Sequence, residues 1–145
     1  MSETIDVNVL VYAQDSASEL GRACRRVLEG LSNGPGLAYL LWPTLISYVR
    51  LITNPSLFPG AISHASAVAD VELLLGRPNL RVVGPGEGFW RAYRRATDGP
   101  AMTAKLVADA QLVAIMYEHG IGTIWTRDRD LRKFDGIRVR DPLKP

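Results

Sequence analysis

Four aspartates stand where solvated acids do not usually fall. Asp6 is embedded in an apolar run, Ile5-Asp6-Val7. Asp109 has Leu106, Leu112 and Val113 as its three- and four-residue neighbours, which places it on or beside the buried face of a helix. Asp128 and Asp130 follow directly on the apolar pair Ile124-Trp125. Two unpaired carboxylates about 5 Å apart repel by roughly 3 kcal/mol at an effective dielectric near 20, so a cluster of them at a partly dry edge calls for a cation. An all-oxygen, hard ligand set fits Mg²⁺, with Mn²⁺ as the alternative. Zinc has no matching donors, since His64 and His119 are isolated and Cys24 is the single cysteine. A carboxylate-held Mg²⁺ activates water and stabilises charge on phosphate oxygens, so the chemistry indicated is phosphoryl chemistry.

Those acids need elements that bring them together. A short β-branched run reads as a first strand ending at about Asp6. Ser16 or Ser18 caps a helix whose apolar face is Leu20, Cys24, Val27, Leu28 and Leu31. Leu37 to Leu41 reads as a buried second strand, and Pro43 opens a helix through Leu45, Val49 and Ile52. A helix over about 63–75, a third strand at Leu80–Val83 and a helix bearing Phe89, Trp90 and Tyr93 follow. From Met102 or Thr103 an apolar helix runs to Glu118, and Gly122–Trp125 is a fourth strand, with Ile137–Val139 as a fifth. Strands alternating with helices predict an α/β fold: a three-layer α/β/α sandwich on a central parallel sheet of four to five strands. In such a sheet ligands bind beyond the carboxyl ends of the strands, where Asp6 and Asp128 fall.

Composition narrows the class. A chain of 145 residues, 47% hydrophobic and 22% charged, is expected to be one domain over 1–145 with a core of its own. The lone cysteine excludes an internal disulfide and fits a reducing cytoplasm. No signal peptide or membrane span is expected, because acids occupy the first residues and the longest apolar run is interrupted by Pro43. Seventeen Lys and Arg against 15 Asp and Glu give a net charge of only +2. The distribution is more telling than the sum: Arg91, Arg94 and Arg95 surround Tyr93, and Arg127 and Arg129 begin a basic last stretch, so these five are candidates for contact with phosphates. Trp42, Trp90 and Trp125 are expected in the core rather than as base-stacking platforms.

Each acid also has a plainer reading. Asp6 can cap a strand end, Asn8 a helical turn, Asp109 can be a chance solvent-facing acid at the helix edge, and Asp128 and Asp130 can be turn residues. Their joint placement favours a site. Three segments together, Ile5-Asp6-Val7-Asn8-Val9-Leu10-Val11-Tyr12-Ala13, Leu106-Val107-Ala108-Asp109-Ala110-Gln111-Leu112-Val113-Ala114 and Thr126-Arg127-Asp128-Arg129-Asp130-Leu131, resemble the motifs of the PIN-domain family, most closely its VapC-type toxins. The resemblance covers nearly the whole chain. It implies an Mg²⁺-dependent endoribonuclease, the toxin of a type II toxin–antitoxin pair, which cuts structured RNA such as tRNA or rRNA and so inhibits translation. It further implies that Asp6, Asp109 and Asp128 are catalytic and hold the metal with help from Asp130. Asn8 and Thr126 would orient them. A VapB-type antitoxin would neutralise the toxin by inserting a tail into the acidic pocket, and a homodimer is the family habit.

One departure stands out. Where the family carries a Glu ahead of Arg and Thr-Asn-Pro, this chain reads Ser47-Tyr48-Val49-Arg50-Leu51-Ile52-Thr53-Asn54-Pro55. The hydroxyl of Ser47 supplies no negative charge at neutral pH, which disfavours a second metal and points to a one-metal mechanism. Asp98, in the loop ahead of the Asp109 helix, is the candidate substitute acid. The alternative is a catalytically weakened PIN module that binds RNA or antitoxin without cleavage. A phosphotransfer domain is less well matched, because Asp6-Val7-Asn8 replaces an Asp-x-Asp pair and no lysine stands in a fitting place near the last strand.

Overall fold

A computed structural model describes residues 2–145. Five short strands and six α-helices alternate: β1 (Glu3–Ile5), α1 (Val7–Tyr12), α2 (Glu19–Asn33), β2 (Ala38–Leu41), α3 (Trp42–Ile52), α4 (His64–Leu75), β3 (Leu80–Val83), α5 (Phe89–Asp98), α6 (Ala104–His119), β4 (Thr123–Trp125) and β5 (Arg138–Arg140), with a 3₁₀ turn at Arg129–Lys133. Every strand pairing is parallel. β4 lies between β1 and β5, matching Ile5 to Trp125 and Trp125 to Arg140, and β2 pairs with β3 in a second ladder beside β1.

Successive strand residues point to opposite faces, and the core divides accordingly. Leu40 joins one apolar cluster with Ile5, Val9, Leu45, Tyr48 and Ile52, whereas its neighbour Leu41 joins the other with Val113, Met116, Leu131 and Phe134. Trp125 and Ile124 split in the same way. The sheet is therefore covered on both sides, as the alternation of elements predicts.

β1 ends just before Asp6, as the pattern implies, and the β-branched residues that follow form a helix that buries Val9, Leu10 and Val11. Two local outcomes differ from the pattern-based reading. β5 sits one residue later than expected: Gly136, at φ 74°, turns the chain so that Arg138 pairs with Thr123. Of the three tryptophans only Trp125 is core, at 6% exposure; Trp90 is 64% exposed and stacks on Tyr93 at 5.2 Å, and Trp42 is also exposed. Charged neighbours Arg91 and Arg94 keep that helix face in water.

The helix that carries Asp109 is held at its C-terminal end. Gly120 closes α6 at φ 67°, in the left-handed region where a side chain is strained. Glu118 accepts hydrogen bonds from the amides of Gly86 (2.8 Å) and Gly88 (2.9 Å), tying the loop before α5 to α6. A Cβ at position 86 would lie 2.6 Å from the Glu118 carboxylate, so a side chain there would displace the carboxylate from this position. The imidazole Nε2 of His119 lies 2.9 Å from the Gly84 carbonyl. At the other end α6 begins after Thr103.

Candidate metal centre

The site begins where β1 runs out. The Asp6 amide donates to the Trp125 carbonyl (2.9 Å), extending the β1–β4 ladder by one bond. Asp6 is then also the N-cap of α1, its Oδ1 accepting from the Val7 amide at 2.7 Å. The plainer capping reading of Asp6 therefore holds, at the start of a helix rather than at a strand end. Its other oxygen, Oδ2, accepts from the Thr126 hydroxyl at 2.8 Å, one residue beyond β4.

Thr126 is buried and works in two directions. While its hydroxyl donates to Asp6, the same oxygen accepts from the Asp128 amide at 2.9 Å. Asp128 in turn caps the 3₁₀ turn by accepting from the Asp130 amide at 2.9 Å. A continuous run of hydrogen bonds thus links Asp6, Thr126, Asp128 and Asp130. From α6, Asp109 completes the group: one carboxylate oxygen each from Asp109, Asp128 and Asp130 all lie within 4.8 Å of one another.

The charges in this group are mutually unfavourable. Burial pushes Asp109 up to about 6, and the negative charges of Asp128, Asp6 and Asp130 add to the effect, with Lys105 opposing it. Burial also raises Asp6, with the Thr126 and Val7 hydrogen bonds pulling the other way and Asp128 adding repulsion. Asp130 moves in the opposite direction, below the usual carboxylate range, because Lys133 and Lys105 donate to it. Those ion pairs measure 3.0 Å and 3.2 Å, and Lys105 is 81% exposed. Among the described residues, the only cations ion-paired to the cluster are therefore these two flexible ammonium groups.

The remaining candidates divide. Asn8 is exposed on α1, and its side chain has no described bond to Asp6. Ser47 is half-buried on α3, one turn from Thr44, whose buried hydroxyl lacks a partner. Asp98 is the last residue of α5 rather than part of the loop; it stands in solvent, and its charge is not among those acting on Asp109. Arg91 and Arg94 are exposed, and Arg95 lies over the Tyr117 ring at 4.2 Å. Arg127 pairs with Asp141 at 3.3 Å, and Arg129 is exposed. Spacing alone did not reveal Lys105 and Lys133. Their signal was available, since 105 lies one turn before 109 and 133 one 3₁₀ turn after 130.

All donors in the cluster are carboxylate oxygens, and they repel one another without a cation. That set fits a hard divalent ion.

Residues 4–137 match the PIN domain model. The chain is 48% identical over 143 residues to Ribonuclease VapC48 of Mycobacterium tuberculosis, covering 99% of both chains. It is 32% identical over 138 residues to Ribonuclease VapC37 of the same species, covering 95% of each. The fold is similar to that in VapBC2 from Rickettsia felis bound to a promoter DNA fragment (TM-score 0.67, 12% identity, 97% and 98% of the two chains). It is likewise similar to Mycobacterium tuberculosis VapC20, described as a Sarcin-Ricin loop cleaving toxin (TM-score 0.63, 17% identity, 94% and 98%).

Proposed function

The chain belongs to the PIN-domain family, and from that premise we propose that it is a metal-dependent endoribonuclease, the toxin of a VapBC-type pair. The single observation that carries this reading is the convergence of Asp109, Asp128 and Asp130 within 4.8 Å, joined through Thr126 to Asp6. Asp6, Asp109 and Asp128 would hold Mg²⁺, with Asp130 alongside; Mn²⁺ is the alternative. When bound, the ion lowers the pKa of water and stabilises charge on the scissile phosphate.

The chain's own residues then have defined tasks. Thr126 orients one oxygen of Asp6 and fixes the Asp128 backbone, so the two strand-end carboxylates keep one geometry. Lys105 and Lys133 hold Asp130 ionised. In this reading Asn8 and Ser47 would serve as polar supports of the acids. With Ser47 in the usual Glu position and Asp98 in solvent, the acids that remain suit one ion rather than two.

The substrate in this reading is structured RNA, tRNA or rRNA, whose cleavage inhibits translation. Arg91, Arg94, Arg95, Arg127 and Arg129 contribute to holding it. The partners are a VapB-type antitoxin and a second copy of the chain. The antitoxin is supported by neighbours that are VapBC and FitAB assemblies, and the dimer by exposed apolar side chains such as Trp42, Ile46 and Trp90. Among the described residues no helix is long and apolar enough to cross a membrane, and the proposed compartment is the cytoplasm.

The test is cleavage of end-labelled tRNA and rRNA fragments in Mg²⁺ and in EDTA, with Asp6→Asn as control. Cleavage that requires Mg²⁺ and is lost in the variant supports the enzyme. RNA binding that is indifferent to metal and leaves the RNA intact supports the non-cleaving module, the reading that Ser47 favours.

A further inference from the structure

Beside the carboxylates lies a cleft of opposite character. It has a volume of about 320 Å³ and is lined from Thr126 to Arg132 on one side and from Arg138 to Pro145 on the other. Two regular elements aim their cations into it. On β5, Arg138 and Arg140 are two residues apart and so share one face of an edge strand. On the 3₁₀ turn, Arg129 and Arg132 are three apart and eclipse one another, while Lys133 turns instead to Asp130. Arg127 and Lys144 complete six basic side chains against two acids, Asp128 and Asp141.

Neither acid is free to neutralise the cleft. Asp141 is engaged by Arg127, and Asp128 belongs to the carboxylate cluster. Arg140 is fixed by an ion pair with Glu3 (3.5 Å) and by its place over the Trp125 ring (4.2 Å). Among the described residues, Arg129, Arg132, Arg138 and Lys144 form no ion pair at all. Unpaired guanidinium groups converging on a polar cleft suit phosphate oxygens, which they can meet in bidentate fashion. Thr126 and Asp128 line the cleft and also belong to the acid cluster, so the two sites are continuous.

We propose that this cleft is an RNA backbone subsite, formed chiefly by Arg132 and Arg138, which holds phosphates next to the one presented to the carboxylates. The inference deepens the ribonuclease reading and rests on it for the identity of the nucleic acid. Its geometry does the sorting: a chain entering along β5 meets cations in the cleft and acids beyond it, so one phosphate reaches the acids while its neighbours are held away from them.

The experiment is binding of a fluorescein-labelled 12-nucleotide single-stranded RNA by anisotropy, in EDTA, across a series of salt concentrations. Two lost phosphate contacts in Arg132→Gln/Arg138→Gln lower the slope of log K against log salt by about 1.4, and weaken binding on the order of tenfold near 0.15 M salt. Both residues are exposed, and the charge-preserving pair Arg132→Lys/Arg138→Lys retains most of the slope in the same fold. A second pair, Arg26→Gln/Arg81→Gln, removes equal charge from α2 and from β3 in the separate ladder, and keeps the wild-type slope. An unchanged slope in Arg132→Gln/Arg138→Gln, or an equal drop in the α2/β3 pair, overturns the subsite. Because no cleavage is scored, failure of the ribonuclease reading appears separately, as intact RNA in Mg²⁺.

Discussion

Replacing Asp109 by Asn should stabilise the metal-free protein at neutral pH while destroying the site. Burial first, then the charges of Asp128, Asp6 and Asp130, push Asp109 from 3.8 up to about 6. The folded chain therefore binds its proton more tightly than the unfolded chain does. Stability from this group is fully present below about pH 4 and is lost as the pH rises to about 6, after which it is constant. Two pH units correspond to about 3 kcal/mol at about 1.4 kcal/mol each. The side chain is only partly buried, so solvent screening reduces this to about 1–2 kcal/mol. Asn has the same shape and is always neutral, so it matches protonated Asp109. Urea unfolding in EDTA should give equal stabilities for both proteins near pH 3, below the unfolded value of 3.8, and an advantage for Asp109→Asn of about 1–2 kcal/mol at pH 7.5. Adding Mg²⁺ at about 100 times its Kd should return about 2.7 kcal/mol to the wild type and much less to the variant. A pH-independent difference, or a less stable variant at pH 7.5, would refute the claim that these carboxylates are strained against one another.

Other substitutions separate support from ligation. Thr126→Val removes the hydroxyl that serves both Asp6 and the Asp128 amide; it should cost about 1–3 kcal/mol in thermal or urea unfolding and about 10–100-fold in Mg²⁺ affinity by calorimetry. Lys105→Gln/Lys133→Gln frees both Asp130 oxygens from competing ammonium groups and should tighten Mg²⁺ by about fivefold, since such pairs are weak; weaker binding would show that the lysines organise the site instead. Gly120→Ala places a side chain at φ 67° and should lower stability by about 1–2 kcal/mol, with Mg²⁺ affinity retained if the end of α6 only anchors the helix.

The acids were legible because each breaks a local rule. Asp6 interrupts an apolar run, and Asp109 sits among Leu106, Leu112 and Val113, so their neighbours alone imply burial. The layered order of strands and helices was equally open to reading, since turns at Gly76, Pro78 and Gly120 punctuate it. What stayed hidden depends on contacts across the chain. The hydroxyl of Thr126 joins residues 120 positions apart, and no local pattern encodes that bond. Trp90 has the composition of a core residue and the environment of a surface one, because its helix carries Arg91 and Arg94 beside it. The two ladders of the sheet meet along β1 and β2, which strand propensity could not announce.

The most direct test of the central claim is end-labelled RNA incubated with the wild type, Asp6→Asn and Asp128→Asn, each in Mg²⁺ and in EDTA. The account predicts discrete cleavage by the wild type in Mg²⁺ alone, and at least about a hundredfold loss in either variant, the scale at which removing a single charge-stabilising group acts in other enzymes. Cleavage that persists in EDTA, or that survives in Asp128→Asn at the wild-type rate, would contradict it.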